Sequence, residues 1–433
     1  MVFDEPNLVA NAGLVTVATL TARLGLERLI DRTLRLTGRV GGANPGSKVL
    51  TLVHTLVAGG SHIDHADMLR SGDTRRVLPF RVAAPSTLGT FLRSFTFGHV
   101  RQLDAVIAET LKRVWQLGVG PGGDRLVIDI DSTICEVHGY NKQGAAYGYT
   151  GQNGYHPLIA SRADTGEVLH VRLRKGSSQK GNTRFIGEVI ARVRRAGATG
   201  EILLRADSGF WSRKTLDTLE RLGVSYSITV STNPTIRTAI DHIPDTAWVQ
   251  TVYPDSGHAD VASFAYLSKG KGQDRHPPKT VRMIVRRTRL TGKQDALFPD
   301  YQHHIFVTNR PDTDLTVIDQ QHRHHAVVEL TIRDLKQGAG LSHLPSGNFS
   351  ANGAWLAYTA LAHNLIRWTT LLSDPTSRNT LTVAATFRTH LVALPGRIIN
   401  RAGRLTLRLP TNWPWAQRLH HILTRLRAIP QLV

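Results

Sequence analysis

The chain has 433 residues, with 53 Lys and Arg against 33 Asp and Glu and a formal net charge of +20. A charge of that size needs solvation or a polyanionic partner, which puts nucleic acid first among partner classes and an anionic membrane surface second. With 41% apolar residues the chain has material for a globular core, and one cysteine, Cys135, excludes an internal disulfide framework and a multi-cysteine zinc site.

Residues 1–120 read as a helical N-terminal domain, expected to bind DNA. Apolar residues recur at three- and four-residue spacing in Leu14–Leu26, Glu27–Leu36 and Lys48–Gly59. Pro85-Ser86-Thr87 predicts a helix start with a Ser or Thr cap, and His99–Leu117 a long amphipathic helix. The membrane alternative weakens here: the most apolar long stretch, Trp355–Leu372, contains His363, Asn364 and Arg367, too polar for a spanning helix. Asp4 and Glu5 replace the basic start of a signal peptide, so a cytoplasmic protein is expected.

After the Gly-rich linker Gly118–Gly123 the pattern changes. Strands are predicted at Arg125–Asp131, Tyr155–Arg162, Glu167–Arg174, Glu201–Ala206 and Ser225–Val230, with helices at Asn182–Ala196 and Ser212–Leu222. That order makes 121–230 the first part of an α/β core. Residues 231–311 read as an all-β insertion, with strands at Val249–Tyr253, Ala262–Leu267, Thr280–Val285 and His303–Val307. The core resumes over 312–375, with helices from about Asp319 to Lys336 and over Ala351–Leu372. The last segment, 376–433, is a basic C-terminal region. From Ala351 to Val433 the sole acid is Asp374, whereas arginines include Arg397, Arg401, Arg404 and Arg408. Arg404–Leu409 alternates as a strand, and Trp413 and Trp415 follow, interleaving aromatics with cations as nucleic-acid surfaces do.

Acids at strand ends stand out in so basic a chain. Asp129 and Asp131 lie at i and i+2 and point the same way; Asp207 follows a strand directly; Glu329 sits in the returning helix. Carboxylates converging at the ends of strands repel one another unless a divalent cation neutralises them, and hard oxygen ligands suit Mg²⁺ or Mn²⁺. Two such ions can activate the attacking oxygen and stabilise the leaving one in phosphodiester displacement. A basic surface with a carboxylate metal site points to phosphoryl transfer on nucleic acid.

At these residues the chain resembles a bacterial insertion-sequence transposase of the DDE superfamily, most closely the group numbered thirteen-eighty, whose larger relatives carry an RNase H-like core interrupted by a β-strand insertion. The resemblance assigns the catalytic and metal-binding roles to Asp131 of Ile128–Thr133, to Asp207 of Arg205–Phe210 and to Glu329. Gly148–Ala160, Ile332–Lys336 and His363–Trp368 also match this group. It implies an α/β fold, two metal ions per site, double-stranded DNA as partner (element ends and target) and a homodimer bridging two ends. It further implies cut-and-paste chemistry with excision through a hairpin. Insertion-domain aromatics would then stack a flipped base, for which Trp248 is the candidate.

The superfamily surrounds its Glu with a Tyr, an Arg four residues before and a Lys seven residues after. This sequence keeps Lys336 but has His322 and His325 at the other two positions, with Arg323 as a substitute cation. On a continuous helix His322, His325, Glu329, Arg333 and Lys336 share one face, which suits phosphates flanking the scissile bond. A transition-metal site at His322, His324 and His325 has no Cys or further carboxylate spacing to support it. Two other readings share these features: an RNase H-like DNA nuclease without strand transfer, and a catalytically decayed DNA-binding derivative.

Overall fold

The computed structural model describes residues 1–36, 38–139, 141–148, 151–178, 180–253, 259–268, 278–289, 301–380 and 382–432. Parts of the expected β insertion (254–258, 269–277 and 290–300) and Tyr149 and Thr150 of the Gly148–Ala160 motif lie outside the described residues.

A short strand, β1 (Leu8–Val9), leads into α1 (Leu14–Arg23) and α2 (Leu26–Thr33), separated at Gly25 with φ 62°. Then come α3 (Pro45–Val57), α4 (Pro85–Arg93) and α5 (Phe97–Val114). Pro85 takes the first position of α4, where a missing N–H is harmless. The cap is Ala84, which makes no side-chain bond, so the expected Ser or Thr cap is not formed. The expected linker is the exit from α5, a π-type turn over Trp115–Val119 with Gly118 at φ 94°.

The main sheet begins with β2 (Leu126–Ser132). A small separate sheet holds β3 (Cys135–Glu136), β4 (Ala146–Tyr147) and β5 (Asn153–Tyr155), and the chain returns through β6 (Leu158–Arg162) and β7 (Val168–Arg172). Tyr155–Arg162, expected as one strand, is two strands in two sheets. The break falls at Pro157, which has no N–H to donate to a ladder. Next come α6 (Asn182–Ala196), β8 (Ile202–Ala206), α7 (Arg213–Arg221) and β9 (Ser225–Val230). The order β7-β6-β2-β8-β9, with β6 antiparallel to its neighbours β2 and β7 and with β8 and β9 parallel to β2, is the RNase H-like arrangement.

The inserted segment opens with a helix, α8 (Pro234–Asp241), whose Asn233 cap accepts from the Ile236 N–H; it is therefore not all-β. Its strands are β10 (Val249–Thr251), β11 (Ala259–Ser268), β12 (Lys279–Arg289) and β13 (Tyr301–Thr308). They extend the core sheet: β13 pairs antiparallel with β9, giving nine strands in the order β10-β11-β12-β13-β9-β8-β2-β6-β7.

The chain then forms α9 (Leu315–Arg323), a 3₁₀ turn over His324–Ala326, α10 (Val327–Gly338), α11 (Phe349–Ser373) and α12 (Ala384–Phe387). The tail adds β14 (Gly396–Arg401), β15 (Arg404–Arg408) and α13 (Ala416–Arg427), and β14 pairs with β1. Buried on nearly every side, α11 packs against α1, α3, α5, α13 and β7. It is too apolar all round for a surface helix and serves as the hub of one core running from Val9 to Leu426. Among the described residues no helix is long and apolar enough to cross a membrane.

Two of the family-like motifs build this hub. Glu167, buried before β7, accepts from the indole N–H groups of Trp115 and Trp368 at 2.8 and 2.7 Å. Asn364 pairs with both backbone groups of Val168, at 2.7 and 2.8 Å. Asp334 of α10 faces His363 and Arg367 of α11 at 3.3 and 3.2 Å. The His363–Trp368 run thus clamps the β6–β7 hairpin and α10 onto one helix.

Candidate active site

Period-two alternation sends Leu126, Ile128 and Ile130 of β2 into the core on one face and Asp129 and Asp131 to the other. β8 runs parallel, with Asp129 opposite Arg205 and Ile130 opposite Ala206. One residue further on, Asp131 and Asp207 end adjacent strands on the same face. α10 crosses that face on β2 and β6, with Glu329 in its first turn. Residues separated by the whole insertion are in this way brought to one strand edge.

The two aspartates of β2 have different surroundings. Asp129 is fully buried and accepts both Nε and Nη2 of Arg205, at 2.6 and 2.7 Å. His325 Nδ1 lies 3.0 Å from the same carboxylate. Asp131 is half-buried, and its carboxylate accepts the Ser132 N–H at 2.6 Å. Burial, and after it the Asp207 charge, pushes the Asp131 carboxyl up to about 6; Glu329 adds to the rise and His325 opposes it. Asp207 is also raised, chiefly by burial, although it accepts the Gly209 N–H at 3.1 Å and feels His325 and Arg174. Asp129 is thus paired inside the fold, while Asp131 feels Asp207 and Glu329 as like charges.

Residues 1–431 match the family described as transposase DDE domain group 1. The chain belongs to this family. A solved synaptic complex of the piggyBac transposase with hairpin DNA is similar to this transposase with a TM-score of 0.45 and 11% identity, over 88% of this chain and 79% of that one. No curated protein matches it.

The transposase's other expected site residues divide into two groups. His325, Glu329, Arg333 and Lys336 follow one face of the turn and α10, with Glu329 and Arg333 exposed and Lys336 half-buried. His322 does not join them. The 3₁₀ turn at His324–Ala326 winds more tightly than an α-helix and breaks the continuous face. His322 points into the sheet, 4% exposed, stacked on Phe306 at 4.0 Å and bonded to Ser227 and Thr229 at 2.8 and 3.2 Å. Burial and the neighbouring His304 hold it well below its usual pKa. A buried neutral imidazole supplies no charge to a phosphate, which corrects the expected DNA contact at His322. Arg323 is also engaged internally, with Asp319 at 3.0 Å and the Val252 carbonyl at 2.8 Å.

Trp248 is half-buried beneath the Arg287 guanidinium, 4.2 Å from its ring, and Arg287 also lies 4.9 Å from Tyr301. Trp413 donates to the His390 carbonyl at 2.9 Å, and Trp415 stacks on His390 at 3.9 Å, so both aromatics of the tail hold protein rather than stand free. Arg397, Arg401, Arg404 and Arg408 are all exposed.

Sequence reasoning missed Arg174. It is buried, it acts electrostatically on Asp207, and its Nη1 donates to Asn182 at 3.0 Å. Asn182 in turn donates to the Gly209 carbonyl at 2.9 Å, which ties the turn after Asp207. Nothing local marked it out, because the run from Glu167 also holds His170 and Arg172. A different acidic set, Asp104, His170 and Glu188, has ligand atoms within 4.8 Å of one another. Arg101, Arg172, Arg184 and Arg192 already surround it with ion pairs. Four guanidinium groups leave no need for a metal there, and this set is a structural ion-pair network joining α5, β7 and α6.

Proposed function

We propose that this transposase cuts DNA at the ends of its element and joins the released ends to target DNA, using Asp131, Asp207 and Glu329. What supports this reading is the placement of Asp131 and Asp207 at the ends of adjacent parallel strands, where burial and then the Asp207 and Glu329 charges raise Asp131, beside an Asp129 already paired with Arg205. They would hold Mg²⁺ or Mn²⁺, two ions per site. When bound, such ions supply Lewis-acid activation of the attacking oxygen and stabilisation of the leaving one.

The chain's own residues do the rest. Asp131 and Asp207 are fixed by the Ser132 and Gly209 N–H groups. Arg333 and Lys336 extend the Glu329 face and would pin phosphates flanking the scissile bond. His325 holds Asp129 in place through Nδ1, 3.0 Å from its carboxylate. Cut-and-paste excision through a hairpin, in a homodimer bridging two ends, belongs to the same reading. Trp248, half-buried under Arg287, would stack a flipped base.

The test is excision from a plasmid carrying the gene with its flanking DNA, with the products mapped strand by strand. Wild-type protein should give hairpin ends and joined products. Asp131→Ala, Asp207→Ala and Glu329→Ala should give neither while still binding the flanks. Cuts without joining would favour a nuclease, and binding without cuts in any divalent ion a decayed derivative. Loss of binding in all three variants would make the acids structural.

A further inference from the structure

β1 pairs with β14 at Gly396 and Arg397, and the Ile398 N–H donates to the Asn7 carbonyl, so from Ile399 onward β14 and β15 form a two-stranded ribbon. Its turn is Ala402-Gly403, at φ 50° and 78°. Both residues are left-handed, the two-residue turn that matches the twist of a hairpin, and an Ala is strained there. The register sets Arg397 opposite Arg408 and Arg401 opposite Arg404. Opposed residues share a face, and so do residues four apart along a strand. All four arginines therefore stand on one exposed face. Among the described residues the acid paired with this face is Glu5, 2.9 Å from Arg397.

Like charges directly opposite each other destabilise a sheet. Two such pairs in succession are relieved by an anion that both can share. From the strand rise, the pairs are separated by about 13 Å. A DNA major groove is about 12 Å wide and admits a two-stranded ribbon, so the pairs match its two phosphate walls. Exposed Thr406 lies between them on the same face. On the other side of β1, the Asp73 N–H donates to the Leu8 carbonyl at 2.8 Å. That neighbouring segment borders a groove of about 680 Å³ lined by Arg70, Arg75, Arg76 and Arg81 with one acid, Asp67; Asp67 pairs with Arg70 and Asp73 with Arg76. The basic surface thus continues past the ribbon.

We infer that the β14–β15 ribbon is a duplex-docking element that lays its arginine face into a major groove. It belongs to a sheet other than the one carrying Asp131 and Asp207. The inference rests on the DNA-processing reading above and assigns part of the DNA grip to a place that reading leaves open.

The experiment is fluorescence anisotropy of a labelled mixed-sequence DNA duplex with the full chain across a salt series. In Arg401→Gln/Arg404→Gln the slope of log affinity against log salt should fall by about 1.8, or 0.9 for each lost phosphate contact. Its melting temperature without DNA should hold or rise, because a like-charge pair is gone. The Lys/Lys double variant should keep the wild-type slope. An unchanged slope in a folded Gln/Gln variant overturns the inference and leaves the proposed chemistry standing, whereas wild-type binding to anionic lipid vesicles but not to the duplex overturns both. If the wild type cuts no DNA with any divalent ion yet the Gln/Gln slope falls, the ribbon stands and the chemistry fails.

Discussion

Asp129 and Arg205 face each other across two parallel strands and share hydrogen bonds of 2.6 and 2.7 Å. This pair separates two aspartates that are two residues apart on one strand face. Asp129 is engaged by the fold, and in the proposed reading Asp131 serves the chemistry. Asp129→Ala strands a buried guanidinium and should lower unfolding stability by about 3–5 kcal/mol in urea titration. Asp131→Ala should be stability-neutral or stabilising, because it removes a carboxylate raised by burial and by Asp207. Equal losses in both variants would contradict the division.

His322 and Arg333 lie on what the sequence makes one helix face, and the structure parts them. Arg333→Ala should reduce the salt slope of duplex binding by about 0.9, the loss of one phosphate contact. His322→Ala should leave that slope alone and destabilise the junction of β9, β13 and α9, by about 1–3 kcal/mol for the buried hydroxyl partners left without it. Matched slope changes in the two variants would return His322 to the DNA surface.

Acid should loosen the network between α5, β7 and α6. Burial tends to raise Glu188, but the hydrogen bond from His170 and the charges of Arg172 and Arg101 outweigh it and hold the carboxyl at about 2, against an ordinary 4.5. A carboxyl lowered on folding contributes stability that is full above its unfolded value and is lost as pH falls toward its folded one. Melting temperature should therefore fall more steeply in wild type than in Glu188→Gln between pH 4.5 and about 2. Parallel curves would show that the network contributes nothing.

Trp248→Ala tests the insertion. The variant should bind the element's flanks normally and give fewer hairpin ends relative to nicks on a strand-mapping gel. Unchanged hairpin yield, with stability lowered by about 0.5–2 kcal/mol, would limit Trp248 to its cation–π contact with Arg287.

What could be read in advance follows from locality. The β2, β8 and β9 runs, the α6 and α7 helices and the acids at strand ends are local patterns, and they stand where periodicity put them. Pairing partners are not local. Nothing within 231–311 says that β13 pairs with β9, and nothing near Asp129 says that Arg205 lies opposite, although an arginine inside the apolar EILLRA run was a signal that a buried acid would meet it. Likewise Arg404, Thr406 and Arg408 were legible as one strand face, whereas the matching face of β14 depends on register. α13 was missed because its arginines and histidines hide the stripe of Leu419, Ile422 and Leu426.

The central claim is that Asp131, Asp207 and Glu329 form a metal-dependent DNA-cutting site. Its most direct test is cleavage of a labelled fragment spanning the gene's flanks by wild-type protein and Asp207→Ala, each with Mg²⁺, Mn²⁺ or EDTA. The account expects nicks at the element boundary in wild type with either metal, and none with EDTA or in Asp207→Ala at equal binding. Cleavage that persists in Asp207→Ala, or that needs no metal, would contradict it.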